Sequence, residues 1–328
     1  MAAILMKLES FLVNPGDRDP TLYVSRTGRR GTFMFDCGEN WTLEPRLLRR
    51  VTHLFITHCH IDHFIGFDML LRLKLYEDKT FEVYGPSGIT DRVEGKLSGY
   101  TWNLTPELCL KLRVHEIERG MVRISRFDSR QGFQRYEEGV FPCPDNLLAD
   151  GEGGTVTFAE LDHSIPTLGY AFQSEDLLHV REDRLNPLGL EPGQWIRDLM
   201  VAYKQGERRE RFELNGREYE SGWLQDELLV PVPGVKIAYV VDVVYNEANA
   251  GKIIELVRGA RKFYCEATFA DEDYDRAADR FHLTARQAGI LAREAGVTEL
   301  HLCHFSKRYN GCFDTLYEEA KREFPNVF

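Results

Sequence analysis

Thr57-His58-Cys59-His60-Ile61-Asp62-His63 sets three imidazoles and a carboxylate within six residues, directly after the apolar run Leu54-Phe55-Ile56 and directly before Phe64-Ile65-Gly66. A strand that ends in such a cluster delivers several donor atoms to a sheet edge, where a loop can fold them around a cation. Imidazole and carboxylate without an obligatory thiolate suit zinc or a similar divalent ion. One histidine after a strand would read as a polar turn residue. Four donors at the spacing H-x-H-x-D-H, bounded by apolar sequence on both sides, read as a metal site.

Outward from this stretch the chain alternates short strands and helices. Towards the N-terminus, Ile4 to Val13, Thr21 to Val24 and Thr32 to Phe35 read as strands, with turns at Pro15-Gly16-Asp17 and Gly28 to Gly31. Leu43 to Val51 has helical spacing, and Phe67 to Leu73 opens another helix whose apolar stripe is core packing. Phe81 to Tyr84 is a strand, the stretch to Asn103 is helix-like, and Leu110 to Val140 alternates as antiparallel strands do. Pro142 to Gly154 reads as a loop. Thr155 to Leu161 alternates and delivers Asp162-His163, and Leu168 to Phe172 returns beside it.

Between Ser174 and Pro233 the composition turns strongly charged, with Pro187, Pro192, Pro231 and Pro233, so residues 175–232 read as a charged arm inserted into a single domain spanning 1–328. A solvated excursion and a substrate-contacting arm both fit that composition. Lys236 to Val241 is a buried strand ending in Asp242. Helix and strand then alternate: Asn249 to Val257, Lys262 to Cys265, Thr284 to Ala295, Glu299 to Cys303 and a last helix from Phe313. Strand-helix alternation in both halves marks an α/β fold.

A chain of 328 residues with 43% hydrophobic and 28% charged content can bury a substantial core. The formal net charge of −11 argues against nonspecific coating of nucleic acid or anionic membrane, whose affinity needs clustered Lys and Arg. It leaves room for a nuclease whose site is locally cationic through bound metal. Seven cysteines without a C-x-x-C pair indicate neither a disulfide framework nor a Cys-zinc module, and point to a reducing, cytoplasmic setting. There is no signal-peptide pattern, and no apolar run approaches the ~20 residues that a membrane span requires.

Three further strand ends carry metal-type donors: His163, Asp242 and His304. Alone, each reads as a hydrogen-bonded core, turn or cap residue. With His58, His60, Asp62 and His63 they make seven donors, enough for two metals with three or four protein ligands each.

These residues resemble the metallo-β-lactamase superfamily, and the C-terminal third resembles its ribonuclease Z branch, which processes tRNA 3′ ends. Cys265-Glu266-Ala267-Thr268-Phe269, His282-Leu283-Thr284 with Gln287-Ala288, and His304-Phe305-Ser306-Lys307-Arg308-Tyr309 are similar, in order and spacing, to that branch's E-A-T-F, H-S-T and H-F-S-x-R-Y elements. The resemblance implies a four-layer αββα sandwich of two mixed sheets with helices outside. It places one ion on His58, His60 and His163 and the other on Asp62, His63 and His304, with Asp242 bridging. Zinc is the first expectation, and manganese or iron are compatible with the same donors.

The implied reaction is endonucleolytic hydrolysis of precursor tRNA 3′ trailers by a metal-bridging hydroxide, which Asp62 orients or deprotonates. His282 would protonate the leaving oxygen, and Glu266 reads equally as its orienting partner or as a plain strand-end acid. Thr284, Ser306, Lys307 and Arg308 would contact substrate, and the 175–232 arm stands where the branch carries its tRNA grip. A homodimer is the usual assembly. The pattern departs from the branch at Asn14-Pro15-Gly16-Asp17, which replaces a glycine-rich start, and at Val241-Asp242-Val243, which replaces G-D-T. Two other readings keep their place: the same metals acting on a small phosphodiester such as a cyclic nucleotide, or on another ester, and a metal-free binding domain.

Overall fold

The computed structural model describes residues 8–26, 31–149 and 154–328. The start of the first expected strand, residues 28–30 of the expected turn and 150–153 of the expected loop lie outside these.

The first sheet holds eight strands in chain order: β1 (Leu8–Leu12), β2 (Leu22–Arg26), β3 (Thr32–Phe35), β4 (Val51–Phe55), β5 (Thr80–Pro86), β6 (Lys111–Glu118), β7 (Met121–Asp128) and β8 (Arg135–Pro142). Its middle, β3 to β6, is parallel, and its flanks are antiparallel. The second sheet contains β9 (Leu147–Ala149), β10 (Gly154–Asp162), β11 (Pro166–Ser174), β12 (Lys236–Val240), β13 (Lys262–Glu266) and β14 (Glu299–Cys303), in the spatial order β14-β13-β12-β11-β10-β9. β12, β13 and β14 are parallel, and β11 runs antiparallel to β12.

Period-two alternation sorts the side chains into layers. In β3 and β4, Met34 and Leu54 face one cluster, shared with Phe67, Leu70, Val93 and Leu97 from the helices α3 (Phe67–Lys74) and α4 (Ile89–Ser98). Phe33, Phe35 and Phe55 face the other sheet, where Phe33 meets Phe172 at 4.9 Å and Phe55 meets Tyr170 at 5.4 Å between ring centroids. Beyond the second sheet, Phe263 and Leu300 pack with Ile253, Leu291 and Leu316 from α5 (Glu247–Val257), α6 (Ala285–Ala295) and α7 (Asp314–Glu323). The result is the expected αββα sandwich, with an aromatic seam between its sheets. Truncating one such ring to alanine costs about 3–5 kcal/mol.

Local chemistry sets the boundaries. The helix expected from Leu43 to Val51 is shorter, α1 (Pro45–Arg50), with proline in its first turn, and Val51 instead opens β4 by pairing with Thr32. The expected loop from Pro142 contains β9, which pairs with Thr155–Thr157 and so widens the second sheet. Thr284 caps α6 through a capping box with Gln287.

Residues Ser174–Val235 form a compact unit of their own. The charged composition conceals an apolar set, Leu185, Leu190, Leu199, Phe212, Leu224 and Leu228, that makes a small core. A hairpin turns at Asn215-Gly216, both with positive φ (51° and 73°), and the outer strands Leu177–Val180 and Leu229–Val232 pair antiparallel. This segment is therefore a folded insertion with a core of its own.

Candidate metal centre

The donors stand on turns that follow strands: His58, His60, Asp62 and His63 after β4, His163 after β10, Asp242 after β12, Glu266 at the end of β13 and His304 after β14. Five non-glycine residues in or beside these turns have left-handed backbone: Asp36 (φ 54°), Ser164 (60°), Asp242 (55°), Phe281 (59°) and His304 (55°). Asp tolerates this region, and a bulky aromatic rarely does, so strain is concentrated where side chains must be aimed. Two glycines bring the pieces close. A Cβ on Gly38 would lie 2.3 Å from the Asp62 carbonyl oxygen, and one on Gly66 would lie 2.3 Å from that of Gly38. The Cys37 amide donates to the His63 carbonyl at 2.9 Å, which seats the short helix α2 (Ile61–Phe64) against the end of β3.

Asp242 is the hub. Its Oδ2 lies 3.3 Å from His58 Nε2, 3.0 Å from His63 Nε2 and 3.8 Å from His163 Nε2, while its Oδ1 lies 3.0 Å from His304 Nδ1. The His58–His60 and His60–His163 ring centroids are 4.4 and 5.4 Å apart. Donor atoms fall into a set of His58, His60, His163 and Asp242 and a set of Asp62, His63 and His304, each within 4.8 Å. A third combination, Asp242, Glu266, His282 and His304, meets the same distance. Its Glu266 is already spent: Oε1 accepts from the Val243 amide at 2.7 Å, and Oε2 lies 2.9 Å from His282 Nδ1 and 2.6 Å from Thr268 Oγ1. The residues fit two divalent ions. Buried His58 Nε2, His63 Nε2 and Asp242 Oδ1 have no aligned hydrogen-bond partner although charged groups lie 3.0–3.3 Å away, an arrangement that a shared cation satisfies.

The electrostatics agree. Burial alone would raise the Asp62 carboxyl, yet His304 and His63 hold it well below the usual carboxylate range. Asp242 is likewise held low by His304 and His63 against its burial. Burial would lower His304, but Asp242 and Asp62 drive it up to about 10. His58, dominated by burial, falls to about 4. Carboxylates are thus kept ionised among imidazoles, so a divalent ion that binds here displaces protons.

The metallo-beta-lactamase superfamily model matches residues 15–99. Ribonuclease Z of Deinococcus radiodurans is 32% identical over 308 residues, covering 92% of this chain and 91% of that protein. The chain belongs to the metallo-beta-lactamase superfamily, in its ribonuclease Z-like branch. Ribonuclease Z of Bacillus velezensis is 30% identical over 310 residues, covering 91% and 86%. Human tRNase Z, short form, shares the fold at a TM-score of 0.54 and 20% identity, covering 91% of this chain and 93% of its own. So does a metallo-beta-lactamase fold protein of Bacillus subtilis, at 0.56 and 16%, covering 98% and 95%.

Within this ribonuclease Z-like chain a second layer of groups orients the donors, and several of them escaped the sequence reading. Asp36, fully buried, accepts from the Thr57 amide at 2.7 Å and from Tyr239 Oη at 3.0 Å, and lies 2.9 Å from His63 Nδ1. His163 Nδ1 donates to the Phe281 carbonyl at 2.7 Å, which leaves Nε2 for the centre. Asp19 is a further acid on the lip; burial raises its carboxyl, nearby Asp62 and Glu39 add to this, and Lys307 opposes it. A carboxylate directly after the strand Thr32–Phe35 was the available signal for Asp36; Asp19 carried none.

The expected substrate contacts divide. Thr284 is fully buried, and its hydroxyl accepts from the Gln287 amide at 3.2 Å, so it caps the helix that follows His282. Arg308 is ion-paired with Asp273 and lies over the Tyr309 ring. Ser306 Oγ accepts from the Arg308 amide at 3.4 Å, and Lys307 stays exposed beside the centre. Among the described residues no helix is long and apolar enough to cross a membrane, and all seven cysteines are free.

Proposed function

We propose that this chain is a dinuclear metal-dependent phosphodiesterase that removes 3′ trailers from precursor tRNA, leaving a 3′-hydroxyl on the tRNA and a 5′-phosphate on the trailer. The observation that carries this reading is the His282–Glu266 pair set beside the seven-donor cluster, in a chain similar to ribonuclease Z over nine-tenths of its length. His58, His60, His163 and Asp242 would hold one ion, and Asp62, His63 and His304, with Asp242 shared, the other. When bound, two such ions activate water as the nucleophile and neutralise charge that builds on the phosphate. Zinc is favoured by the donor set, with manganese or iron as alternatives.

The chain's own groups divide the proton work. Asp62, held ionised, orients the attacking water and accepts its proton. Burial would lower His282, but Glu266 raises it, which favours the protonated ring. With Nδ1 on Glu266, the ring's Nε2 gives a proton to the leaving 3′-oxygen. In this reading the partner is RNA, the setting is cytoplasmic and the assembly a homodimer.

The second reading, hydrolysis of a small phosphodiester, draws on the inserted unit. Residues 174–235 hold 13 acidic and 8 basic side chains, and Arg184, Lys204, Arg208 and Arg211 are paired with acids of the same unit. Such a surface offers a phosphate backbone little attraction. A parallel assay of trailer-bearing precursor tRNA, a cyclic nucleotide and a chromogenic diester, with Asp62→Ala as control, decides. Metal-dependent trimming to a 3′-hydroxyl is expected. Turnover of the small diesters with intact precursor would overturn the tRNA reading.

A further inference from the structure

β10 and β12 carry His163 and Asp242 on their following turns, yet they are not sheet neighbours, because β11 lies between them. No ladder between these two strands therefore fixes the distance between the two donors. Asn249, three residues into α5 and only 2% exposed, bridges the gap. Its Nδ2 donates to the Asp162 carbonyl at 3.0 Å and to the Val244 carbonyl at 2.9 Å, and its Oδ1 accepts from the Asp162 amide at 3.2 Å. The Val244 amide adds a bond to the Asp162 carbonyl at 3.0 Å. Asp162 immediately precedes His163, and Val244 stands two residues after Asp242, so one buried amide ties both turns.

We propose that Asn249 is a positioning residue for the metal-donor set of His58, His60, His163 and Asp242, holding His163 and Asp242 at the separation that one ion requires. This rests on the metal reading above. Its selectivity follows from the connectivity. Both tied turns contribute to this set, whereas Asp62, His63 and His304 lie outside them and that second set meets the tied turns only through the shared Asp242. Alanine at 249 removes three of these four bonds and leaves the Val244–Asp162 backbone bond alone to oppose the strain at Ser164 and Asp242 (φ 60° and 55°), which gives each turn a reason to relax away. Aspartate keeps an acceptor for the Asp162 amide but loses the two donors, so it too fails to hold them.

The test uses the full-length protein, stripped by chelation and titrated with cobalt(II), with stoichiometry and the two affinities read from the visible spectrum and by metal analysis. Wild type is expected to hold about two ions. Asn249→Ala and Asn249→Asp should weaken the ion on His58, His60 and His163 by about tenfold or more, the magnitude usual for loss of a group that orients ligands, and the other ion, which shares only Asp242 with the tied turns, by clearly less. Asn246→Ala provides the fold control, because Asn246 Oδ1 caps the same helix on the Asn249 amide at 2.8 Å without reaching either turn. It should lower the melting temperature and leave both ions in place. Wild-type affinity for both ions in Asn249→Ala, equal weakening of both, or the same selective loss in Asn246→Ala would each overturn the proposal. Wild-type protein that binds no divalent ion would remove the metal reading itself.

Discussion

His58 and Asp242 face each other with side chains 0% and 3% exposed, whereas Arg208 and Asp226 in the inserted unit pair with 54% and 67% exposed. The two contacts have similar chemistry and different weight. Water screens the second until it contributes little, while in the first a lost partner leaves a buried polar atom with nothing to bind. The metal centre is therefore specified by a few groups, each costly to change. The insertion's surface is specified by many, each cheap, and a charge balance there can drift without disturbing the chemistry.

The strongest way to break this contrast is at its centre. Asp62→Ala is expected to lower phosphodiesterase turnover by roughly a hundred- to ten-thousand-fold, measured at saturating metal. Near-normal turnover would mean that Asp62 neither orients water nor takes a proton. Next is Asp36→Ala, which strands the Thr57 amide, Tyr239 Oη and His63 Nδ1 together. Denaturant unfolding should show a loss of about 3–5 kcal/mol, and metal affinity should fall by about ten- to a hundredfold. Unchanged affinity would remove His63 from the set.

Glu266→Gln addresses the proton donor. Glu266 raises His282 in the folded protein, so the protonated ring is populated below that raised value and lost as pH climbs through it. The alkaline limb of the pH–rate profile should move to lower pH in the variant, and a stationary limb would separate His282 from proton transfer. The smallest effect is expected on the insertion. Exposed Arg197, Arg209 and Arg217 make no ion pair among the described residues, and replacing all three by glutamine should barely change the slope of log kcat/KM against log salt for precursor tRNA. A drop of about 0.9 per arginine would show that they do hold phosphates and that the contrast fails.

What the sequence disclosed follows from how local each signal is. His58, His60, Asp62 and His63 share one turn, and His163, Asp242 and His304 each end an apolar run, so the donors were legible before any fold existed. Asp36 and Asn249 were not, because their meaning lies in partners 27 and 87 residues away. Thr284 shows a local signal with two meanings: a place beside His282 and a helix cap that engages its hydroxyl. The insertion's core was hidden by composition, since Leu185, Leu199, Phe212 and Leu224 are spread thinly through charged sequence. β9 was hidden by the prolines before it. The layers came only from the family resemblance, because Met34 and Leu54 are as apolar as the Phe33 and Phe55 that face the other way.

The left-handed backbone at Ser164 and Phe281 also bears on how such a protein could be evolved for heat resistance. Glycine at either position would relieve about 1–2 kcal/mol of steric cost, less what the unfolded chain gains in freedom. A selection on survival temperature alone would be drawn to both. Ser164 directly follows His163, and Phe281 supplies the carbonyl that fixes the His163 tautomer. Gains in melting point at these two codons should therefore come with looser grip on one ion, and a screen for useful variants has to score metal retention alongside heat.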